Sequence, residues 1–307
     1  MAMEKENIIY LDNIDAYNKL YGYETKHPLV TVVDFDSVVK NDLPEQCTLY
    51  YGLYAIFLKQ TFCGDITYGR QPYDYQEGTV VSFAPGQVVK CNHKKADASR
   101  PKPCIGLLFH PDLIRGTELG ADIRQYGFFS YDSREALHLS EEERGIFYDC
   151  IRNIRTELCH SIDTHSRKLI CRNIQLLLDY CLRFYERQFI TRHSVNSDVL
   201  SRFERLLGDY FADGTAQRSG LPTVKYFAEH CFLSPNYFGD LVKKETGRTP
   251  QEIIQKKVIS LAKDNLLGSD QTISEISYAL GFQYSQHFNR FFKRNTGLTP
   301  SEYRNKC

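Results

Sequence analysis

Ten cysteines have the widest chemical repertoire of any residues in this sequence: Cys47, Cys63, Cys91, Cys104, Cys150, Cys159, Cys171, Cys181, Cys231 and Cys307. A thiolate can ligate zinc, attack an electrophile or close a disulfide, and each use has a spacing signature. Zinc and dithiol sites draw on C-x-x-C pairs or tight Cys/His clusters, and no two of these cysteines form such a pair. A disulfide scaffold would crowd its cysteines into a short chain, whereas these are spread over 307 residues, in segments that read as strands and helices. Free, buried thiols in a reducing compartment are therefore expected. Cys91-Asn92-His93 comes nearest to a ligand pair, but a single Cys-x-His lacks the remaining corners of a zinc tetrahedron. Neither a metal nor a cofactor is expected.

Charge gives a weaker signal. The chain carries 38 Lys and Arg against 38 Asp and Glu, a net charge of zero. From Asp198 to Cys307 there are 15 basic and 12 acidic side chains, a balance of +3. Total charge alone does not single out nucleic acid as a partner. No apolar run approaches the roughly 20 residues that cross a bilayer. The polar start, Met1 to Asn7, is followed by no apolar segment of signal-peptide type. A cytoplasmic protein with no membrane partner is the expectation.

Positioning elements fall into two regions. From about Leu29 to His110 the sequence reads as β structure. Leu29-Val30-Thr31-Val32-Val33 is a β-branched run, and Leu49 to Phe62 is rich in Tyr, Phe, Ile and Leu. Thr79-Val80-Val81-Ser82-Phe83 ends at a Pro85-Gly86 turn, and Ile105 to Phe109 ends at Pro111. Short strands with turn signals predict a barrel or sandwich. After Leu139 the period changes. Ser140 and Glu143 form a capping box, and Ile146, Cys150, Ile151, Ile154 and Leu158 follow at helical spacing. A second helix is predicted from about Thr164 to Gln188. Polar Arg192 to Asp198 reads as an interdomain linker. The expected division is residues 1–190, a linker at 191–197, and a helical domain at 198–307.

The helical domain contains a repeat. Thr246-Gly247-Arg248-Thr249-Pro250 recurs fifty residues later as Thr296-Gly297-Leu298-Thr299-Pro300. Val224, Phe227 and Cys231 have counterparts in Ile273, Ile276 and Leu280, and Phe238, Leu241 and Val242 in Phe288, Phe291 and Phe292. Each copy therefore predicts two short amphipathic helices joined by a tight turn. Thr272 with Glu275 is a capping box, and Ser234-Pro235 is an N-cap followed by proline at the first helical position. Gly247 and Gly297 suit left-handed helix ends. Ala228 and Ser277 are small, as close helix crossings require. Gly281 suits the second turn, whereas Phe232 stands in the first, and a left-handed phenylalanine would be strained, so that turn is expected to differ. A connecting helix, Gln251 to Leu267, is expected to set the two units about 34 Å apart, one turn of DNA.

On these motifs, residues from about Val199 to Tyr303 resemble the DNA-binding domain of the AraC/XylS family of bacterial regulators. The match is clearest in Ile273-Ser274-Glu275-Ile276-Ser277, Leu280-Gly281-Phe282, and Phe288-Asn289-Arg290-Phe291-Phe292-Lys293 through Thr299-Pro300. The resemblance implies double-stranded DNA as partner and a sequence-specific transcriptional regulator as function. It implies DNA-facing positions at Ser285, Gln286, Asn289, Arg290 and Lys293 in the second unit, and at Pro235, Asn236, Gly239, Asp240 and Lys243 in the first. Gln and Asn can read adenine and Arg guanine, while Lys293 and Lys243 suit phosphate. Gly239 and Asp240 depart from the family pattern and put base reading by the first unit in doubt.

The β-rich part resembles the cupin-like sensor domain of the same family, best at residues Gly78 to Gln87. The fold class implied is α+β: an N-terminal cupin-like β-barrel with a helical hairpin, then an all-α domain with two helix-turn-helix units. Metal-binding cupins cluster His and Glu ligands, but His93 and His110 are isolated and Glu77 has no neighbouring His. Aromatics including Tyr50, Tyr51, Tyr54, Phe57, Phe62, Tyr68, Tyr73, Tyr75 and Phe83 suit either a ligand pocket or barrel core, with core favoured. The resemblance leaves open a small-molecule effector and RNA polymerase as further partners. It also implies a homodimer, with a seam expected on Leu169, Ile174, Leu177, Leu178 and Leu182. The competing class is an enzyme carrying a helix-turn-helix, such as a DNA-repair methyltransferase. That needs a cysteine cluster and a nucleophile motif, and neither is found.

Overall fold

β-Branched and aromatic side chains alternate through the first half, and in the computed structural model they pleat into ten strands among the described residues. The structure describes residues 8–35, 46–59, 66–68, 71–72, 78–92, 104–131, 135–191 and 193–306. The chain divides into two units, Met1–Thr191 and Arg192–Cys307.

The first unit begins with β1 (Ile8–Leu11), α1 (Ile14–Tyr21) and β2 (Val30–Asp34). The aromatic stretch after Gln46 splits into β3 (Gln46–Tyr51) and β4 (Tyr54–Lys59), followed by β5 (Ile66–Tyr68) and β6 (Gln71–Pro72). Then come β7 (Thr79–Phe83), β8 (Gln87–Asn92), β9 (Cys104–Phe109), α2 (Pro111–Ile114), α3 (Glu118–Asp122) and β10 (Leu137–His138). Strand order is β1-β3-β8-β5-β6 in one sheet and β10-β7-β4-β9-β2 in the other. Only the β1–β3 pair is parallel among the described pairings. The expected closed barrel is not found among the described residues: the strands form two five-stranded sheets. Leu49, Tyr51 and Val89 from one sheet share a core cluster with Val33, Phe57, Val81, Phe83 and Leu108 from the other. Apolar burial between two sheets is the main driving term here, at about 25 cal/mol per Å² of apolar surface removed from water.

Two helices, α4 (Glu141–Glu157) and α5 (Ser166–Thr191), complete this unit. Ser140 and Glu143 form the expected capping box on α4. Glu143 also receives Arg187 of α5, whose guanidinium lies 2.6 Å from Oε2. Buried Gln188 fastens α5 to β10: its Oε1 accepts from His138 N at 2.8 Å and its Nε2 donates to Ala136 O at 3.1 Å. The expected dimer seam is corrected here. Ile174, Leu177 and Leu178 are fully buried within this unit. Ile151 and Ile154 of α4 are equally buried. On α5, Leu169, Leu176 and Leu182 are the exposed leucines.

The second unit is helical throughout: α6 (His193–Ala212), α7 (Thr215–Ser219), α8 (Val224–His230), α9 (Pro235–Thr246), α10 (Pro250–Gly268), α11 (Ile273–Ala279), α12 (Ser285–Thr296) and α13 (Pro300–Lys306). The polar run expected as a linker at 191–197 is helical from His193 onward. It contains no Gly or Pro to stop a helix. Asn196 is buried, and its Nδ2 donates to Glu245 Oε1 of α9 at 3.1 Å. Phe203 of α6 stacks edge-on against Phe227 of α8 and Phe238 of α9, with centroids 5.1 and 5.2 Å away. In the second half Phe288 meets Phe282 and Phe292, and Phe292 meets Tyr303.

Candidate nucleic-acid interface

Each repeat copy folds as the apolar spacing predicts, and the backbone shows how close the two copies are. Helix α8 ends with Phe232 N donating to Glu229 O and Leu233 N to Ala228 O; α11 ends with Gly281 N donating to Tyr278 O and Phe282 N to Ser277 O. Both are the paired carbonyl closure of a left-handed helix end. Gly281 adopts it at φ 91°, and Phe232 at φ 60°. The expectation that the first turn must differ is thus corrected: Phe232 accepts the left-handed conformation. Among the described residues it is the one non-glycine with positive φ. Its ring is exposed, with the Arg202 guanidinium 4.9 Å from the ring centroid, a cation–π contact that offsets part of the backbone cost.

The second helix of each copy starts one residue out of step. Leu233 and Phe282 are 49 residues apart, Pro235 and Ser285 fifty, so the second turn is one residue longer. Ser234 caps α9 by accepting from Tyr237 N, while Tyr284 stands at the start of α12 with no side-chain cap. Both helices end alike. Gly247 N donates to Lys243 O and Gly297 N to Lys293 O, and the Thr246 and Thr296 hydroxyls donate to Val242 O and Phe292 O.

Burial sorts the side chains. Phe288 and Phe292 hold α12 to the core, leaving Gln286, Asn289, Arg290 and Lys293 exposed, with Ser285 half-buried at the first turn. On α9, Tyr237, Phe238, Leu241 and Val242 are buried, so Pro235, Asn236, Asp240 and Lys243 are exposed and Gly239 is half-buried. The expected residues of each unit therefore share a solvent-facing side of one helix. Gln283, His287 and Arg294 border the α12 face and were not singled out from sequence. Helical spacing could have found Arg294, one turn beyond Arg290. The ends of α12 and α9 differ in charge: α12 carries Arg290, Lys293 and Arg294 with no acid, whereas α9 carries Lys243 and Lys244 with Asp240 and Glu245.

Three capping boxes hold the scaffold. Thr249–Glu252, Thr272–Glu275 and Thr299–Glu302 each exchange hydrogen bonds, with the carboxylate accepting from the cap N–H at 2.7–2.8 Å. Those backbone N–H groups, then the threonine hydroxyls, hold all three carboxyls below the ordinary glutamate range. The connecting helix α10 buries Ile254, Val258, Ala262 and Leu266. Arg304 of α13 closes the far end by donating to Leu266 O and Gln271 O.

A family profile described as a helix-turn-helix domain matches residues 227–306, the segment just built. Residues 227–306 are thus similar to the AraC-type helix-turn-helix domain. The HTH-type transcriptional regulator YobQ of Bacillus subtilis is 39% identical over 83 residues, 27% of this chain and 34% of that protein. The HTH-type transcriptional activator RhaS of Salmonella paratyphi B is 28% identical over 133 residues, 43% of this chain and 45% of that one. The match thus spans less than half of either relative. Among solved structures, the C-terminal domain of AraT, a response regulator from Geobacillus stearothermophilus, is 26% identical, covering 34% of this chain and 85% of that one at a TM-score of 0.31. The profile match falls wholly in the second unit.

Of the first unit's candidates, His110 caps α2, its Nδ1 accepting from Asp112 N at 3.1 Å. His93, Glu77 and the side chain of Cys91 lie outside the described residues, as do Phe62, Tyr73, Tyr75 and the Tyr68 side chain. Tyr51, Phe57 and Phe83 are core, with Tyr51 stacked on Phe83 at 5.1 Å. Tyr54 is half-buried and stacks on Phe109. No helix among the described residues is long and apolar enough to cross a membrane.

Proposed function

We propose that this chain is a sequence-specific DNA-binding transcriptional regulator. The observation that carries this is the doubled helix-turn-helix, in which α9 and α12 each turn one polar face to solvent from a capped, aromatic-cored scaffold. Helices of this kind enter the major groove. Gln286 and Asn289 can pair with adenine N6 and N7, and Arg290 with guanine O6 and N7. Lys243 and Lys293 suit phosphate. Pro235, Asn236, Gly239, Asp240 and Ser285 complete the proposed contact set. The relatives' description as transcriptional regulators supports the same reading. The test is titration of the full chain against promoter fragments from its own genome over a salt series. Binding is expected to weaken steeply as salt rises. Arg290→Ala should cost about 1–3 kcal/mol and relax one base position, and Lys293→Ala should weaken all sequences alike. Equal, sequence-independent losses for both variants would refute the roles, and no preference for any promoter would refute the function.

The first unit, residues 1–190 in this reading, is a cupin-like sensor and dimerisation domain acting in the cytoplasm, and residues 198–307 are the DNA-binding domain. The two facing sheets support the cupin-like part. A groove of about 410 Å³ lined by Tyr23, Lys26, Asp34, Arg155 and Leu158 among others offers an effector both apolar walls and charged groups. An effector there should raise the melting temperature of the chain, and Arg155→Ala should abolish that rise. RNA polymerase is the partner an activator would meet. The reactive-cysteine enzyme is disfavoured because the sequence carries no cysteine cluster or nucleophile motif, and burial pushes the thiols of Cys150, Cys171, Cys181 and Cys231 up rather than down.

A further inference from the structure

We infer that α12 alone reads DNA sequence, while α9 docks without reading bases; this rests on the DNA-binding reading above. The two helices offer the same scaffold to solvent but different chemistry. At matching positions α12 has Ser285, Gln286, Asn289 and Arg290, and α9 has Pro235, Asn236, Gly239 and Asp240. Proline and glycine carry no side-chain donor or acceptor. A carboxylate accepts only, so in the groove Asp240 can meet just the amino groups of cytosine and adenine, and it repels phosphate. Asn236 alone retains a bidentate amide.

Electrostatics points the same way. The three cations of α12 have no acid on their helix, whereas the two of α9 are balanced by two carboxylates. Duplex DNA rewards each cation brought to a phosphate by releasing condensed counterions. The attraction is therefore concentrated on α12, where Arg294 extends it past the base-facing row.

The fold does not impose this difference. A Cβ built at Gly239 would meet nothing within 4 Å, so no close approach demands glycine there. Its φ is negative, so no left-handed constraint demands glycine either. The α9 surface lacks reading groups by residue choice, and reading can be restored by substitution.

The experiment is selection by the full chain from a duplex library randomised across two successive major-groove windows, followed by sequencing of the bound pool. Information is expected in one window per bound chain. Arg290→Ala should relax one position within it, whereas Asn236→Ala should weaken binding to all sequences alike and relax no position. Gly239→Asn combined with Asp240→Arg, checked for folding by circular dichroism, should create a second window and tighten binding about tenfold, the value of one good bidentate pair. Equal information in two windows of the unmodified protein, or loss of the single window in Asn236→Ala, would overturn the inference. Binding with no sequence enrichment at all would instead overturn the sequence-specific function on which it rests.

Discussion

Single residues separate the two repeat copies more sharply than their matched helices do. Phe232 and Gly281 hold one backbone conformation at equivalent turns, yet for different reasons. A Cβ at Gly281 would lie 2.7 Å from Gly220 C and 2.8 Å from Ala216 O, both backbone atoms, so glycine is required there by close approach as well as by φ. Gly281→Ala should destabilise the second unit by more than about 2 kcal/mol, read as a lower denaturant midpoint. Phe232→Gly should act oppositely: left-handed strain of about 1–2 kcal/mol is relieved, less the lost Arg202 contact and the extra chain entropy of glycine, for a net gain of up to about 1 kcal/mol. A lowered midpoint for Phe232→Gly would show that the ring contributes more than its backbone costs. Ser277 offers a third case. Its hydroxyl is fully buried and finds no hydrogen-bond partner among the described residues, while the first copy has Ala228 there. Ser277→Ala should stabilise by about 1 kcal/mol, and unchanged stability would mean the hydroxyl is satisfied.

At the scale of elements, the three Thr–Glu boxes fix where α10, α11 and α13 begin. Thr272→Ala should cost about 1 kcal/mol of stability, measured by denaturant titration. The boxes also set an acid response. Their glutamates have folded pKa values below the unfolded ones, so their contribution is present above the ordinary glutamate value and is lost as pH falls through the depressed one. Melting temperature of the second unit should therefore drop as the pH goes below about 4.5. The triple variant Glu252→Gln, Glu275→Gln, Glu302→Gln keeps an acceptor at each cap and should show a shallower decline. An identical decline would place the acid sensitivity elsewhere.

For the whole molecule, the hairpin of α4 and α5 decides how assembly can be tested. Leu177 is fully buried, so Leu177→Asp should unfold the first unit, with loss of its circular dichroism signal. It should not yield a folded monomer. Leu169 and Leu176 are 46% and 45% exposed and seven residues apart on one side of α5, which makes them the stripe a dimer would use. Leu176→Asp should keep the fold and, in a dimer built on this stripe, halve the mass measured in solution. An unchanged dimer mass would move the seam off α5.

How far the sequence reached follows from the range of the forces involved. Caps, left-handed helix ends and apolar periodicity act over one or two turns, so Ser140, Thr249, Thr272, Gly247 and Gly297 could be placed from the chain alone. The fifty-residue repeat disclosed two copies of one fold because each copy solves the same local packing problem. Helix α1 was equally legible in principle, with Asn13 as N-cap and Gly22 at its left-handed end, but it is short and precedes the strand-rich stretch. Tertiary structure alone decided which face of α5 is core, because an apolar stripe does not say what covers it. It also decided that the strands pair as two sheets, since strand pairing joins residues far apart in sequence. Phe232 shows the limit most plainly: local strain argued against a left-handed phenylalanine, and the packing of α8 against α9, which requires that turn, outweighed it.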